Sequence, residues 1–202
     1  MRILELFSGT GSVSKVCKEL NYEVISVDIS SKYHTPTILA NIMEWDYKTF
    51  PTGHFDMIWA SPPCQTFSYL RHCHIGRTMK HSKEPFTMEQ LINDIETKGL
   101  PILRKTQEII EYFKPTYWFI ENPVGRMQNY INNVKPYRVD YCAYADWGYK
   151  KPTHIWTNKV FIPKVCFHKK HKINIGHPAE TESLTLANRY RVPPNLIKEL
   201  IL

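Results

Sequence analysis

The chain has 202 residues, of which 43% are hydrophobic, and its formal net charge at pH 7 is +7. This length and hydrophobic content predict one globular domain with a full core, and they exclude a fibrous or wholly disordered chain. The basic balance favours a polyanionic partner such as nucleic acid, although similar balances occur in proteins that bind none.

The N-terminus and the cysteines indicate the compartment. No apolar run approaches membrane-spanning length, and the chain enters its first apolar run at Ile3 without the two regions of a signal peptide. The five cysteines are an odd number without the spacing of a disulfide framework, which favours a reducing environment. We therefore expect a cytoplasmic protein without a membrane segment.

Apolar runs alternate with helical periodicity along the first part of the chain. Strands are predicted over residues 2–7, 23–27, 38–42, 55–60 and 116–120, and helices over residues 13–20 and 101–113. This alternation predicts an α/β fold with a doubly wound, mostly parallel sheet that binds ligands at the carboxyl ends of its strands. We expect a single domain over residues 1–202.

A short glycine loop follows the first predicted strand. The loop Phe7–Gly11 (FSGTG) allows the backbone to approach a ligand closely at a helix N-terminus. Asp28 ends the second strand, where a carboxylate can accept hydrogen bonds from ribose hydroxyls. The loop lacks the third glycine of a dinucleotide fingerprint and the lysine of a P-loop. S-adenosylmethionine is therefore favoured over NAD and ATP.

The block Ser61–Ser68 (SPPCQTFS) follows the fourth predicted strand. Its two prolines restrict φ and remove two backbone donors, so the turn is stiff and presents Cys64 in one direction. For a lone cysteine, a buried structural thiol is the alternative. The fifth strand ends in Glu121 and Asn122, which the fold would bring to the same sheet edge as Cys64.

Two basic stretches contain no acidic residue. Residues 66–83 include Arg71 and Arg77, and residues 147–179 contain seven lysines, among them Lys150 and Lys151. Aromatic side chains are interleaved with the lysines, a mixture that suits phosphates and bases. Two solvated faces are the alternative, but the first stretch directly follows the cysteine block, which favours nucleic-acid contact.

In order and setting, residues 7–11, 61–68 and 120–123 (IENP) resemble the motifs of the cytosine-5 DNA methyltransferases. The resemblance covers residues 1 to about 125, and residues 151–158 and 191–193 resemble the tail of compact phage- or virus-type members. It implies a Rossmann-like, class I methyltransferase fold, S-adenosylmethionine as cofactor and DNA as the partner.

The resemblance also implies residue roles. Cys64 would add to carbon 6 of cytosine, Glu121 would hold the ring at N3 and supply a proton, and Asn122 would brace Glu121 or the cysteine turn. A base in duplex DNA would have to leave the stack, under a lid formed by residues 66 to about 84. The implied cofactor contacts are Phe7, Ser8, Gly9, Thr10, Gly11, Asp28, Ile29, Asn41, Ile42 and Pro62. The implied nucleic-acid contacts are Gln65, Ser68, Arg71, Arg77, Lys150, Lys151 and Thr153.

The sequence also departs from the family pattern. Asn41 stands where an aspartate usually accepts from the adenine amine, and residues 149–153 replace a Gln-x-Arg-x-Arg motif. Only residues 159–183 remain for a target-recognition domain, so we expect none. Within enzymes, the alternative is the same chemistry on RNA or a free cytosine nucleotide. A catalytically weak nucleic-acid-binding subunit is the alternative from another class.

One further cluster raises the question of a metal. Cys166 and two of the histidines that follow it could bind zinc with a fourth ligand such as Cys142. These histidines are His168, His171 and His177. A basic, phosphate-facing loop with incidental histidines is the alternative. We expect no metal, because no paired C-x-x-C motif supports one.

Overall fold

The computed structural model describes residues 1–78, 84–164, 166–168, 171–174 and 184–202. The strands are β1 (Arg2–Leu6), β2 (Glu23–Asp28), β3 (Ile38–Leu39), β4 (Met57–Ala60), β5 (Tyr117–Pro123), β6 (Tyr137–Asp140), β7 (Tyr149–Lys150), β8 (Pro152–Thr157) and β9 (Ile173–Asn174). The α-helices are α1 (Ser12–Glu19), α2 (Met88–Asp94), α3 (Leu100–Phe113), α4 (Leu186–Tyr190) and α5 (Pro194–Ile201). A π-helical turn, Ile95–Gly99, joins α2 to α3.

Seven strands form the main sheet, in the order β3-β2-β1-β4-β5-β8-β6. The first five are parallel, whereas β8 runs antiparallel to both of its neighbours. The prediction of a doubly wound, mostly parallel sheet is confirmed. The carboxyl ends of β1, β2, β4 and β5 meet at one edge, as parallel strands require.

Alternating residues of each strand build one core on each face of the sheet. On one face, Leu4 and Ile58 belong to the same buried cluster as Ile109 of α3. On the other face, Trp59 belongs to a cluster with Val16 of α1 and residues of α5. The two cores hold the strand ends at fixed positions, and burying each large apolar side chain contributes about 1.5–3 kcal/mol.

Two strands end about three residues from the predicted position, whereas the bounds of β1, β2 and β4 differ from the prediction by no more than about two residues. The third strand ends at Leu39, and the following residues form a turn. The fifth strand continues past Ile120 to Pro123, because the antiparallel strand β8 pairs with it and aligns Glu121 with Ile155. Glu121 and Asn122 therefore lie within a strand, where hydrogen bonds to β8 hold their backbone. Strands β6 to β9 and helices α2, α4 and α5 were not predicted from the sequence.

The described residues contain no helix that is both long enough and apolar enough to cross a membrane.

Candidate active site

A cavity of about 960 Å³ opens at the edge where the parallel strands end. This volume lies within the range of small-molecule and cofactor sites. Sixteen of the twenty predicted site residues line the cavity: Phe7, Ser8, Gly9, Thr10, Asp28, Ile29, Asn41, Ile42, Pro62, Cys64, Gln65, Ser68, Arg71, Glu121, Asn122 and Lys151. The remaining four, Gly11, Arg77, Lys150 and Thr153, do not line it.

The glycine loop turns sharply between β1 and α1. Phe7, Gly9 and Gly11 have φ values of 60°, 49° and 65°, in the left-handed region. A bulky residue such as Phe7 rarely adopts this conformation, which is typical of strained ligand sites. A Cβ atom on Gly11 would lie 2.6 Å from the ring of His34, so only glycine fits there. Gly11 thus acts through backbone conformation instead of by lining the cavity.

Asp28 holds the glycine loop at the end of β2. Its Oδ2 accepts a hydrogen bond of 2.8 Å from the backbone N–H of Gly9, and its Oδ1 accepts one of 2.9 Å from Ser30. Each carboxylate oxygen can accept a further hydrogen bond, so the group still fits ribose hydroxyls. Asp28 is therefore both a loop anchor and a candidate ribose ligand.

The cavity wall fits the rest of S-adenosylmethionine. The buried hydroxyl of Ser8 has no hydrogen-bond partner among the described residues, and it lines the cavity where a ligand's polar group would satisfy it. Ile29 is 71% exposed although apolar, which suits contact with a planar ring. Asn41 is less available, because its amide bonds to Glu44 and to the backbone N–H of Met43.

Cys64 is half-buried in the turn that follows β4. Burial raises the pKa of its thiol above the ordinary value of 9.0, the Lys151 ammonium opposes this shift, and the Glu121 carboxylate adds to it. A charged lysine beside a desolvated cysteine favours the thiolate, the form that acts as a nucleophile.

Glu121 and Asn122 contact different parts of the site, since adjacent strand residues point to opposite faces. The hydroxyl of Tyr141 donates a hydrogen bond of 2.8 Å to Oε1 of Glu121. Burial and the Glu121 carboxylate raise the pKa of Tyr141 well above its usual range, so this hydroxyl keeps its proton. The Asn122 amide donates a hydrogen bond of 2.8 Å to the carbonyl oxygen of Pro62, so Asn122 braces the cysteine turn.

Two residues expected to contact nucleic acid are buried. Lys151 is 4% exposed, its Nζ donates to the carbonyl oxygen of Arg189 at 2.8 Å, and it lies 4.7 Å from the ring centre of Tyr141. Thr153 is fully buried in β8. Lys151 lines the cavity and Thr153 packs in the sheet, so neither side chain lies on the outer surface where a DNA backbone would run. Burial follows from their place beside β5 and β6, which their sequence does not reveal.

The remaining residues predicted to contact nucleic acid differ in their exposure and in their contacts within the protein. Arg71 pairs with Asp94 at 2.5 Å and lies 4.9 Å from the ring centre of Phe86. Much of its charge is therefore neutralised within the protein. Ser68 caps the 3₁₀ helix Tyr69–His74 by accepting from the N–H of Leu70. Gln65 and Arg77 are exposed, and Lys150 is half-exposed. Within the predicted lid, residues 79–83 lie outside the described part of the chain, as do Lys169 and Lys170.

Sequence reasoning missed a buried carboxylate at the base of the cavity. Glu5 of β1 accepts hydrogen bonds from the backbone N–H groups of Val13 and Ser14 at 3.2 and 3.1 Å, and also from the Ser14 hydroxyl. Burial raises the pKa of Glu5 to about 7, against the lowering effect of these hydrogen bonds. An acidic residue inside the apolar run ILELF is the signal that marks it, since an acid there requires a partner.

Comparisons with known proteins agree with this geometry. The family model for C-5 cytosine-specific DNA methylases matches residues 1–156. A protein of Frog virus 3 (isolate Goorha), described as a probable DNA (cytosine-5)-methyltransferase, is 42% identical over 224 aligned residues, which cover 100% of this chain and 99% of the relative.

Two solved structures share the fold. The Entamoeba histolytica methyltransferase EhMeth has a TM-score of 0.52 at 18% identity, covering 84% of this chain and 57% of that protein. A prophage-encoded E. coli protein, described as a DNA modification methyltransferase, has a TM-score of 0.50 at 14% identity, covering 78% of this chain and 46% of its own. This chain thus spans about half the length of these two proteins, and the likeness confirms the Rossmann-like methyltransferase fold. By its motifs, its site geometry and the matched family model, this chain belongs to the C-5 cytosine-specific DNA methylase family.

Proposed function

We propose that Cys64 is the nucleophile with which this cytosine-5 DNA methyltransferase attacks its target base. The family assigns the reaction, which transfers a methyl group from S-adenosylmethionine to carbon 5 of cytosine in DNA. The observation that carries the residue assignment is that Cys64, Glu121 and Asn122 line one cavity together with the glycine loop.

Carbon 5 of cytosine is a poor nucleophile until a thiolate adds to the ring. Attack by Cys64 forms a carbon–sulfur bond at carbon 6 and makes carbon 5 the nucleophilic end of an enamine. When bound, S-adenosylmethionine supplies an electrophilic methyl group. After carbon 5 takes up the methyl group, a base removes its proton, and the returning electron pair expels the Cys64 thiolate and restores the ring.

Glu121 is suited to manage the charge that thiolate addition places on the ring. Tyr141 occupies Oε1, so Oε2 remains to hold N3 and to pass a proton to it. The hydrogen bond also limits rotation of the carboxyl group, which keeps it aligned toward the cavity. Lys151 lies in the same cavity and favours the Cys64 thiolate before the base arrives.

The short stretch of residues 159–183 limits how this chain recognises DNA. We propose that residues 1–202 form a single domain, because residues 159–183 are too few to fold as a separate target-recognition domain between β8 and α4. Contacts would then go mainly to phosphates, through side chains such as Arg77 and Lys150, with the target base flipped into the cavity. The five cysteines, none in a disulfide, support a reducing compartment such as the cytoplasm as the place of action.

DNA that carries 5-fluorocytosine tests the assignment of Cys64. The fluorine cannot leave carbon 5 as a proton does, so the adduct cannot resolve and should accumulate as a covalent complex. The complex should require the cofactor, should disappear in Cys64→Ala, and should persist in Cys73→Ala. Methylation by a folded Cys64→Ala variant would exclude the mechanism.

A further inference from the structure

A second group of reactive side chains lies outside the cavity. Cys142, Cys166, His168 and His171 each offer one donor atom, and these four atoms lie within 4.8 Å of one another. Cys142 belongs to the 3₁₀ turn Tyr141–Ala143 after β6, whereas the other three follow β8. The tertiary structure thus brings Cys142 to Cys166, although the two residues are 24 positions apart in the sequence.

The distances from the Cys166 sulfur to the two histidine nitrogens are close to those of a tetrahedral metal site. Sγ of Cys166 lies 3.5 Å from Nδ1 of His168 and 3.3 Å from Nε2 of His171. Donors around a tetrahedral zinc ion lie about 3.5–3.8 Å apart. The two sulfur atoms, at 3.0 Å, need to separate by less than about 1 Å to meet this geometry. Two thiolates with two imidazoles are a ligand set typical of structural zinc.

Among the described residues around this cluster, few apolar side chains are packed against the rest of the protein. Val160, Ile162 and Phe167 are 85%, 87% and 90% exposed. Phe161 does pack on Tyr137, with ring centres 4.4 Å apart, but it is the exception among these four apolar residues. Residues with so little buried apolar surface require another source of stability. In small protein domains, a bound metal ion is one such source.

The cluster also connects two parts of the structure. His171 lies two residues before β9, which pairs with β7 at Tyr149 and Ile173. Cys142 directly follows Tyr141, whose hydroxyl holds Glu121. A metal bound here would therefore hold its three ligands that follow β8 against the turn that positions Tyr141.

We propose that Cys142, Cys166, His168 and His171 bind one structural Zn²⁺ ion. This site replaces the expectation of a metal-free basic loop, which rested on the missing C-x-x-C pair. The ligand Cys142 supplies the second thiolate from a distant turn, so no local motif is needed. The ion takes no part in the methyl-transfer chemistry, and the proposal stands independently of the role of Cys64.

Metal analysis of the purified full-length protein tests this proposal. We expect one equivalent of zinc per chain, and tetrahedral d–d absorption with thiolate-to-metal charge transfer when Co²⁺ is added after chelation. Cys166→Ser and His171→Asn should lose the metal, while the matched controls Cys73→Ser and His72→Asn should retain it. If the ligand variants fail to fold, the Co²⁺ spectrum of the unsubstituted protein still decides the question.

Protease digestion gives a readout of the structural role. Removing zinc should expose Lys159, Lys164 or Lys172 to trypsin, while the circular dichroism of the sheet and helices stays unchanged. A protein that takes up neither zinc nor Co²⁺ would overturn the proposal. So would a native Cys142–Cys166 disulfide, found by mass spectrometry of unreduced peptides.

Discussion

The side-chain amide of Asn122 donates a hydrogen bond of 2.8 Å to the carbonyl oxygen of Pro62, and both residues are buried. This bond connects the strand that carries Glu121 to the turn that carries Cys64. The two candidate catalytic side chains therefore have positions that depend on each other, although 57 residues separate them in the sequence.

Replacing Asn122 with alanine should separate the cysteine turn from β5. Leaving the buried Pro62 carbonyl oxygen without a donor costs about 1–3 kcal/mol, and displacement of Cys64 should lower turnover about ten- to hundredfold. Thermal unfolding and single-turnover methylation measure the two effects. The exposed Asn129→Ala is the control, and full activity of Asn122→Ala would remove Asn122 from the positioning role.

Lys151→Met should slow the reaction of Cys64 with iodoacetamide. The ammonium lowers the pKa of Cys64, so its removal should raise that pKa further and reduce the thiolate fraction at pH 8. A rise of one pKa unit would slow alkylation about tenfold. Peptide mass spectrometry follows Cys64 alone, and Lys150→Met should react like the unsubstituted protein. Equal rates for both variants would contradict the role of Lys151.

Glu5 should make folding stability depend on pH. Its pKa is about 7 when folded, against 4.5 for the free group. The folded protein therefore keeps a proton that the unfolded chain releases, and this contribution to stability is complete below pH 4.5 and disappears as pH rises toward 7. The loss amounts to about 3 kcal/mol.

Chemical denaturation at pH 5.5, 7 and 8.5 measures this contribution. Glu5→Gln should remove it, so the difference in unfolding free energy between the variant and the unsubstituted protein should change with pH. A pH-independent difference would contradict the raised pKa of Glu5.

Asp28→Ala should weaken binding of S-adenosylmethionine about tenfold or more, through loss of charge-assisted hydrogen bonds. Asp28 also accepts a hydrogen bond from Gly9, so its alanine variant changes both the loop and the ribose contact. The isosteric Asp28→Asn separates these two roles, because it keeps an acceptor for the loop but removes the charge. Calorimetric titration gives both affinities. Unchanged affinity in folded Asp28→Ala would place ribose binding elsewhere.

DNA binding should fall steeply with salt and depend little on sequence. Replacing Arg77 and Lys150 with glutamine should weaken binding equally on unrelated duplexes and flatten the salt slope by about two. The exposed Lys48→Gln, in a turn that does not line the cavity, should change neither. Bisulfite sequencing shows directly which bases flank each methylated cytosine. Methylation confined to one site of about four base pairs or more would contradict phosphate-based recognition.

Much of the site could be predicted because it depends on local chemistry. The glycine loop, the rigid turn before Cys64 and the acid–amide pair at Glu121 carry signals within a few residues, and strand alternation places them at one edge. The burial of Lys151 and Thr153 could not be predicted. Their burial results from the pairing of β8 with β5 and β6, which no local pattern encodes.

The sequence alone determined the alternation of strands and helices, the glycine loop and the stiff turn that presents the candidate nucleophile Cys64, because each depends on neighbouring residues and on backbone propensity. Only the tertiary structure decided which side chains meet: Asn122 with Pro62, Tyr141 with Glu121, and Cys142 with Cys166. Each of these contacts joins residues at least 20 positions apart. Such pairs form through sheet register and packing of the two cores, which are properties of the whole chain.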